Sequence, residues 1–310
     1  ARPHSNKACG IVDGLPLWCG VEGGDGDDDV ETTVNAPEED MEENAEMRSP
    51  AVASASCLQL DVGELHADEF LDGVDGIGQG LVQTLAREGY EAFGTVRYLT
   101  TDDHTFRVDL NDPDAASVKS AASKMDNLDL LIVNAAIADN SPYIELQPEK
   151  HRAFYNTNVI GPLTAAQAFL PAMRKGKQKT IVFITSLVSN LALQLVNAQQ
   201  PAEKRVPFSK GPYPATKAAL NLLGIGLYNE LSEEGFSVLL IHPGLVRTDM
   251  AALFIKRLGV DSPFSVISVE ESSDSIVGTI KSHIASGISD VRLLNYDGTE
   301  LVKSCPSCKL

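Results

Sequence analysis

The sequence predicts an α/β chain, a single doubly wound parallel sheet covered by helices on both faces, with an acidic tail in front of it. Three observations carry this. Continuous apolar runs at 128–133 (LDLLIV), 180–186 (TIVFITS) and 236–242 (FSVLLIH) have the composition of strands buried on both faces. Segments of helical character separate them, at about 143–157, 159–175 and 214–232, and strands spaced by such helices form βαβ units. Finally, the charge is segregated. Of the formal net charge of −18, residues 1–65 hold −12, with 15 acidic and three basic residues, and the remainder only −6.

Taken in chain order, residues 1–64 form the expected tail. The stretch 21–50 is acidic and of low complexity, repels itself and has little to bury, so disorder is expected there. The segment 64–71 (ELHADEFL) is too polar for a buried parallel strand, and 56–62 (SCLQLDV) has strand composition but lies well upstream of the next turn. The α/β domain is expected over 65–304. It opens on a glycine turn, Gly73, Gly76, Ile77 and Gly78, followed by an amphipathic helix over 81–90 and a strand over 92–97. Ligands of such sheets bind beyond the carboxyl ends of the strands. Chemistry is therefore expected just after residues 97, 133, 186 and 242.

Several function classes are excluded. Strong acidity disfavours a nucleic-acid surface. No apolar run reaches the ~18–20 residues of a membrane span. Residues 1–20 lack the apolar core of a secretory signal. Cys9, Cys19, Cys57, Cys305 and Cys308 all fall outside the expected core, which argues against a disulfide scaffold. In the C-terminal tail, 305–310, the single Cys305-x-x-Cys308 pair has no second pair to complete a zinc site, so no metal is expected. The expected location is cytoplasmic, with the terminal Cys-Lys-Leu pointing to the peroxisome as the alternative.

The residues with chemistry fall at the expected places. Tyr213 and Lys217 stand four apart on a helix and so share a face. An ammonium beside a phenol favours phenolate, which makes Tyr a usable proton donor or acceptor. Ser186 closes an apolar strand, with Thr185 and Ser189 as competitors for the same role, and Asn158 lies inside a helix, where the simplest alternative is a solvated face. Pro243 and Gly244 make a sharp turn after the last apolar strand, with Thr248 four residues beyond the glycine. Arg97 ends the second strand, where no acidic residue stands. Arg accommodates a 2′-phosphate there, whereas an acid favours NAD, so NADP(H) is expected ahead of NAD(H).

Together these residues resemble the short-chain dehydrogenase/reductase family, and their texture is closest to sniffer-type and C-factor-like carbonyl reductases and fungal ketoreductases. The resemblance covers about residues 73–300 and implies a Rossmann-type α/β/α sandwich. It assigns Asn158, Ser186, Tyr213 and Lys217 to the catalytic tetrad. Cofactor contacts are implied for Gly73, Gly76, Ile77, Gly78, Asp109, Asn134, Ala135, Pro243, Gly244 and Thr248, as well as Arg97, Tyr213 and Lys217. It further implies a carbonyl or alcohol substrate, a lid over 251–267 lined by Leu253, Phe254, Ile255, Leu258 and Phe264 that suits a lipophilic molecule, and a homodimer or homotetramer.

The sequence departs from the family in two places. The glycine turn lacks one residue between its first two glycines, and Asp72 and Asp75 bring negative charge to a turn that should receive a pyrophosphate. A non-catalytic binding protein of the same fold is the alternative this departure raises. The stretch from Ser186 to Tyr213 is also long, with a polar loop expected over 197–212. Only about 60 residues follow Pro243-Gly244, too few for the substrate domain of an epimerase of the extended branch.

Overall fold

Among the described residues, seven strands of the main sheet run parallel, in the order Thr105–Arg107, Glu91–Val96, Ser56–Leu60, Leu130–Val133, Thr180–Ile184, Ser237–His242 and Val291–Asn295. The structure, a computed structural model, describes residues 56–60, 76–97, 104–138, 141–205, 211–258 and 264–301. The strands are β1 (Ser56–Leu60), β2 (Glu91–Val96), β3 (Thr105–Arg107), β4 (Leu130–Val133), β5 (Thr180–Ile184), β6 (Ser237–His242), β7 (Leu245–Val246), β8 (Val266–Ile267) and β9 (Val291–Asn295). The helices are α1 (Ile77–Arg87), α2 (Ala116–Ala122), α3 (Pro148–Tyr155), α4 (Gly161–Met173), α5 (Leu191–Gln199), α6 (Tyr213–Leu231), α7 (Asp249–Leu258) and α8 (Val269–Ser286). The strand order reverses between β1 and β4, the point at which such sheets open a crevice for a ligand.

Both faces of the sheet are buried, as the apolar runs require. Along β4, Leu130 and Ile132 face one way and pack in a cluster with Leu81 and Leu85 of α1 and Ile276 and Ile280 of α8. Leu131 and Val133 face the other way and pack with Val118 of α2, Phe169 of α4 and Leu220 of α6. The doubly wound expectation therefore holds, strand by strand.

Two expectations are corrected. The sheet begins at Ser56, inside the stretch assigned to the tail, and not beyond residue 64. β1 pairs with β2 on one side (Cys57 beside Ala92) and with β4 on the other (Leu58 beside Leu131), so Cys57 belongs to a central strand. The physical reason is that β2 and β4 each need a partner for the backbone groups they turn toward one another. The segment 64–71, with Gly73, Asp72 and Asp75, falls in the connection 61–75, outside the described residues. The loop expected over 197–212 starts later than expected, because a helix runs into its first three residues. Leu191–Gln199 is helical, started by the Asn190 side chain accepting from the Leu193 amide (3.1 Å). Leu, Ala, Gln and Val run on from that cap without a breaker until Pro201.

Candidate active site

The carboxyl edge of the sheet gathers the singled-out residues. Arg97 follows β2, Asp109 lies beyond β3, Asn134 and Ala135 follow β4, Ser186 lies just past β5, and Pro243-Gly244 follows β6. α6 starts at Tyr213 and carries Lys217 one turn later. Gly73 and the Leu253 and Leu258 side chains lie outside the described residues, as do Cys305, Cys308 and the terminal Cys-Lys-Leu.

Tyr213, Lys217 and Ser186 come together. The Lys217 side chain is fully buried, and its Nζ donates to the Ile184 carbonyl (2.7 Å) at the end of β5. Nζ lies 5.7 Å from the centre of the Tyr213 ring. Burial pushes the Tyr213 phenol up to about 12, opposed by a hydrogen bond with Ser186. Burial pushes the Lys217 ammonium down to about 7. Charge alone led to the opposite expectation for the phenol. Removal from water disfavours phenolate and ammonium alike, and for the phenol it outweighs the Ser186 hydrogen bond.

These shifts set a pH dependence. The unfolded chain holds the Lys proton up to about 10.5, whereas the folded one releases it near 7, so stability rises with pH across that window. Tyr213 acts above it, since stability falls once the unfolded phenol ionises from 10.0, until the folded one follows at about 12. Denaturant unfolding at pH 7 and pH 9.5 should therefore show the native protein gaining stability relative to Lys217→Met. Parallel pH profiles for the two proteins would mean that Lys217 keeps its charge in the fold.

Geometry separates the three competing hydroxyls. Thr185 is buried and donates to Asn221 Oδ1 (2.6 Å). Ser189 donates to the Ser186 carbonyl (2.5 Å) and accepts from Asn221 Nδ2 (2.9 Å). Ser186 Oγ accepts only a long bond from the Val188 amide (3.4 Å) and is the hydroxyl that meets the Tyr213 phenol.

Asn158 is not on a solvated face. It is fully buried in a π-helical turn, Asn156–Ile160, between α3 and α4. Its Nδ2 donates to the Ile137 carbonyl (2.9 Å) and to Thr216 Oγ1 (3.0 Å), and its Oδ1 accepts from the Ile137 amide (2.8 Å). Thr216 donates in turn to the Tyr213 carbonyl (2.8 Å). The loop after β4 and the start of α6 are thus joined through one amide. A burial-blind reading of a lone helical Asn misses this.

The other half of the edge is open at the backbone and carries Arg97 paired with Asp109. α1 begins at Gly76 in extended conformation, with no side-chain cap and no acidic residue in its first turn, so its leading amides suit a phosphate. Arg97 Nε lies 3.6 Å from Asp109 Oδ1, and Arg107 Nε donates to the Arg97 carbonyl (3.2 Å). Asp109 also borders a cavity of about 240 Å³ that Asn156, Ile160 and Gly161 help to line. Gly244 sits at φ +87°, and a Cβ there would come within 2.7 Å of Ile267 and 3.1 Å of the Tyr296 ring. Ser272 of α8 holds this turn by donating to the Pro243 carbonyl (2.7 Å). Thr248 Oγ1 accepts from the Ala251 amide (3.4 Å) at the start of α7. Phe254, Ile255 and Phe264 are half-buried. Sequence reasoning missed Thr216, Asn221 and Ser272. The first two carried a signal, since they sit in the Tyr–Lys helix one residue before Lys217 and four residues after it.

Comparison with known proteins bears on the family and the fold. A family model described as short chain dehydrogenase matches residues 72–257. An uncharacterised oxidoreductase of Schizosaccharomyces pombe is 33% identical over 195 residues, 58% of this chain and 73% of that protein. A carbonyl reductase from Pseudomonas aeruginosa, solved in complex with NADP, is 26% identical with a TM-score of 0.56, over 78% of this chain and 98% of that one. The carbonyl reductase Sniffer of Drosophila melanogaster shares the fold at 22% identity and a TM-score of 0.58, over 81% of this chain and 100% of that one.

Proposed function

The chain belongs to the short-chain dehydrogenase/reductase family, and we propose from that premise that it is an NADP(H)-dependent reductase of an aldehyde or ketone, or the reverse alcohol dehydrogenase, acting on a lipophilic small molecule. The observation that supports this best is the meeting of Ser186, Tyr213 and Lys217 at one point beyond β5.

The residues at hand fit a dinucleotide with a 2′-phosphate. The uncapped start of α1 and the Arg97 guanidinium would hold its phosphates, the cavity beside Asp109 would take its adenine end, and the Gly244 turn with Thr248 would receive its nicotinamide end. When bound, the nicotinamide supplies the hydride. The protein's own groups do the rest. Ser186 Oγ donates to the carbonyl oxygen and orients it. Tyr213 gives that oxygen a proton as negative charge grows on it. Lys217, in its protonated form, stabilises the phenolate left behind. Asn158 keeps the loop after β4 fixed to α6, so the phenol and the nicotinamide seat stay in register.

Other features support the remaining assignments. Leu191, Leu195 and Val196 lie exposed on α5, which begins directly behind the Ser186 turn and, with Phe254 and Ile255 of α7, would suit an apolar substrate. Tyr155, Ile160, Leu222 and Ile225 are exposed on the faces of α3, the π turn and α6, an apolar surface a second copy would cover in a homodimer or homotetramer. No helix among the described residues is long and apolar enough to cross a membrane. A cytoplasmic location is proposed, with the peroxisome as the alternative.

The first test is binding of NADPH and NADH to the whole chain. Micromolar NADPH with weaker NADH, followed by reduction of carbonyl compounds, is the expected result. No binding of either would overturn the proposal in favour of a non-catalytic binding protein. Arg97→Ala should then weaken NADPH about 10–100-fold, the worth of a charge-assisted hydrogen bond, and leave NADH nearly unchanged. Equal losses for both nucleotides would show that Arg97 does not read the 2′-phosphate.

A further inference from the structure

We infer that Asn221 is a positioning residue for Ser186, acting through a one-way chain of hydrogen bonds that joins the Ser186 turn to the helix carrying Tyr213. The inference rests on the role proposed above for Ser186.

The chain has a defined direction. Thr185 Oγ1 donates to Asn221 Oδ1 (2.6 Å). Asn221 Nδ2 donates to Ser189 Oγ (2.9 Å). Ser189 Oγ donates to the Ser186 carbonyl (2.5 Å). Each hydroxyl has one proton to give. Because the Asn221 amide nitrogen donates to Ser189 and cannot accept from it, the Ser189 proton goes to the Ser186 carbonyl. The Ser186 carbonyl also accepts the Ser189 amide (3.0 Å), which closes a tight 3₁₀ turn over Leu187–Ser189 with Ser186 extended at its start.

The placement gives this chain its use. Tyr213, Lys217 and Asn221 stand at successive fourth positions of α6 and so lie along one stripe. Lys217 grips the Ile184 carbonyl at the end of β5, and Asn221 grips both Thr185 and Ser189 on either side of Ser186. The serine hydroxyl and the tyrosine phenol are thereby held from the same rigid element. A shift of about 1 Å in such a pair can cost on the order of 100-fold in rate. Asn221 and Thr185 are buried, so water does not readily replace the missing bonds.

Asn221→Asp tests the direction of the chain. A carboxylate accepts from Thr185 and from Ser189 alike, which draws the Ser189 proton away from Ser186. With NADPH and 4-nitrobenzaldehyde as the assay pair, kcat/KM should fall about 10–100-fold, while the Kd for NADPH, read by fluorescence, stays within about twofold. In a Ser186→Ala background the same substitution should change kcat/KM by less than about twofold, because the group it positions is gone. Ser189→Ala should behave likewise and serves if Asn221→Asp does not fold, and Ser189→Thr, which keeps the hydroxyl, should restore most of the loss. An equal loss in both backgrounds would reduce Asn221 to a general stabiliser, and an unchanged kcat/KM in the native background would remove the role altogether. Full turnover by Ser186→Ala alone would instead overturn the reading of Ser186, and the inference with it.

Discussion

Tyr213→Phe should lower turnover about a thousandfold or more while leaving the affinity for NADPH nearly unchanged. The phenol is the proton donor in the proposed reaction, and a positioned general acid contributes roughly 10²–10⁴-fold. The ring itself stays. Tyr213 opens α6 from a backbone that Thr216 clasps at its carbonyl, and Lys217 is held independently by the Ile184 carbonyl, so removing one oxygen disturbs neither the helix nor the lysine. Single-turnover kinetics with preloaded NADPH, beside a binding titration, separate the two effects. Retained turnover would show that the proton comes from elsewhere.

Asn158→Leu should lower the thermal unfolding midpoint by about 10 °C. The replacement strands three buried groups, the Ile137 amide, the Ile137 carbonyl and Thr216 Oγ1, although Thr216 keeps its bond to the Tyr213 carbonyl. Buried polar groups left unpaired cost about 1–3 kcal/mol each, which sums to roughly 3–5 kcal/mol after partial relaxation. For a domain of this size each kcal/mol moves the midpoint by about 2–4 °C. Calorimetry of the two proteins measures this directly. A midpoint within 2 °C of the native value would mean that the loop after β4 and α6 do not depend on this amide to stay together.

The doubly wound sheet was legible in its apolar runs, and so were the positions at its edge that the structure brings together. Tyr213 and Lys217 were readable because a shared helix face demands fixed spacing, and Ser186 because strand ends at one edge of a parallel sheet are where reactions occur. Which of Thr185, Ser186 and Ser189 is available was not readable, since it depends on Asn221, a residue 35 positions beyond Ser186 that meets them only in three dimensions. Asn158 was placed in a helix correctly, but periodicity around a single polar residue does not say which face is buried. The first strand was readable at 56–62 by its composition but was left outside the domain, because the glycine turn directs attention to the residues immediately before it, whereas the pairing partners of β2 and β4 lie at 56–60. α5 escaped because Leu191, Leu195 and Val196 leave its outer face apolar, so it lacks the polar stripe by which surface helices are recognised.

The central position of β1 has a consequence for how the protein acquires its shape. Cys57 pairs with Ala92 and also with Leu130, so the strand that joins the two halves of the sheet precedes both its neighbours in the chain, and one of them is made more than 70 residues later. During synthesis β1 can find β2 first, but the hydrogen bonds of its other edge stay unmet until β4 emerges. That edge is a template for any strand that arrives first, another copy of this chain included. Closing the middle of the sheet is then a race between a long-range intramolecular pairing, slowed by its loop entropy, and association between molecules.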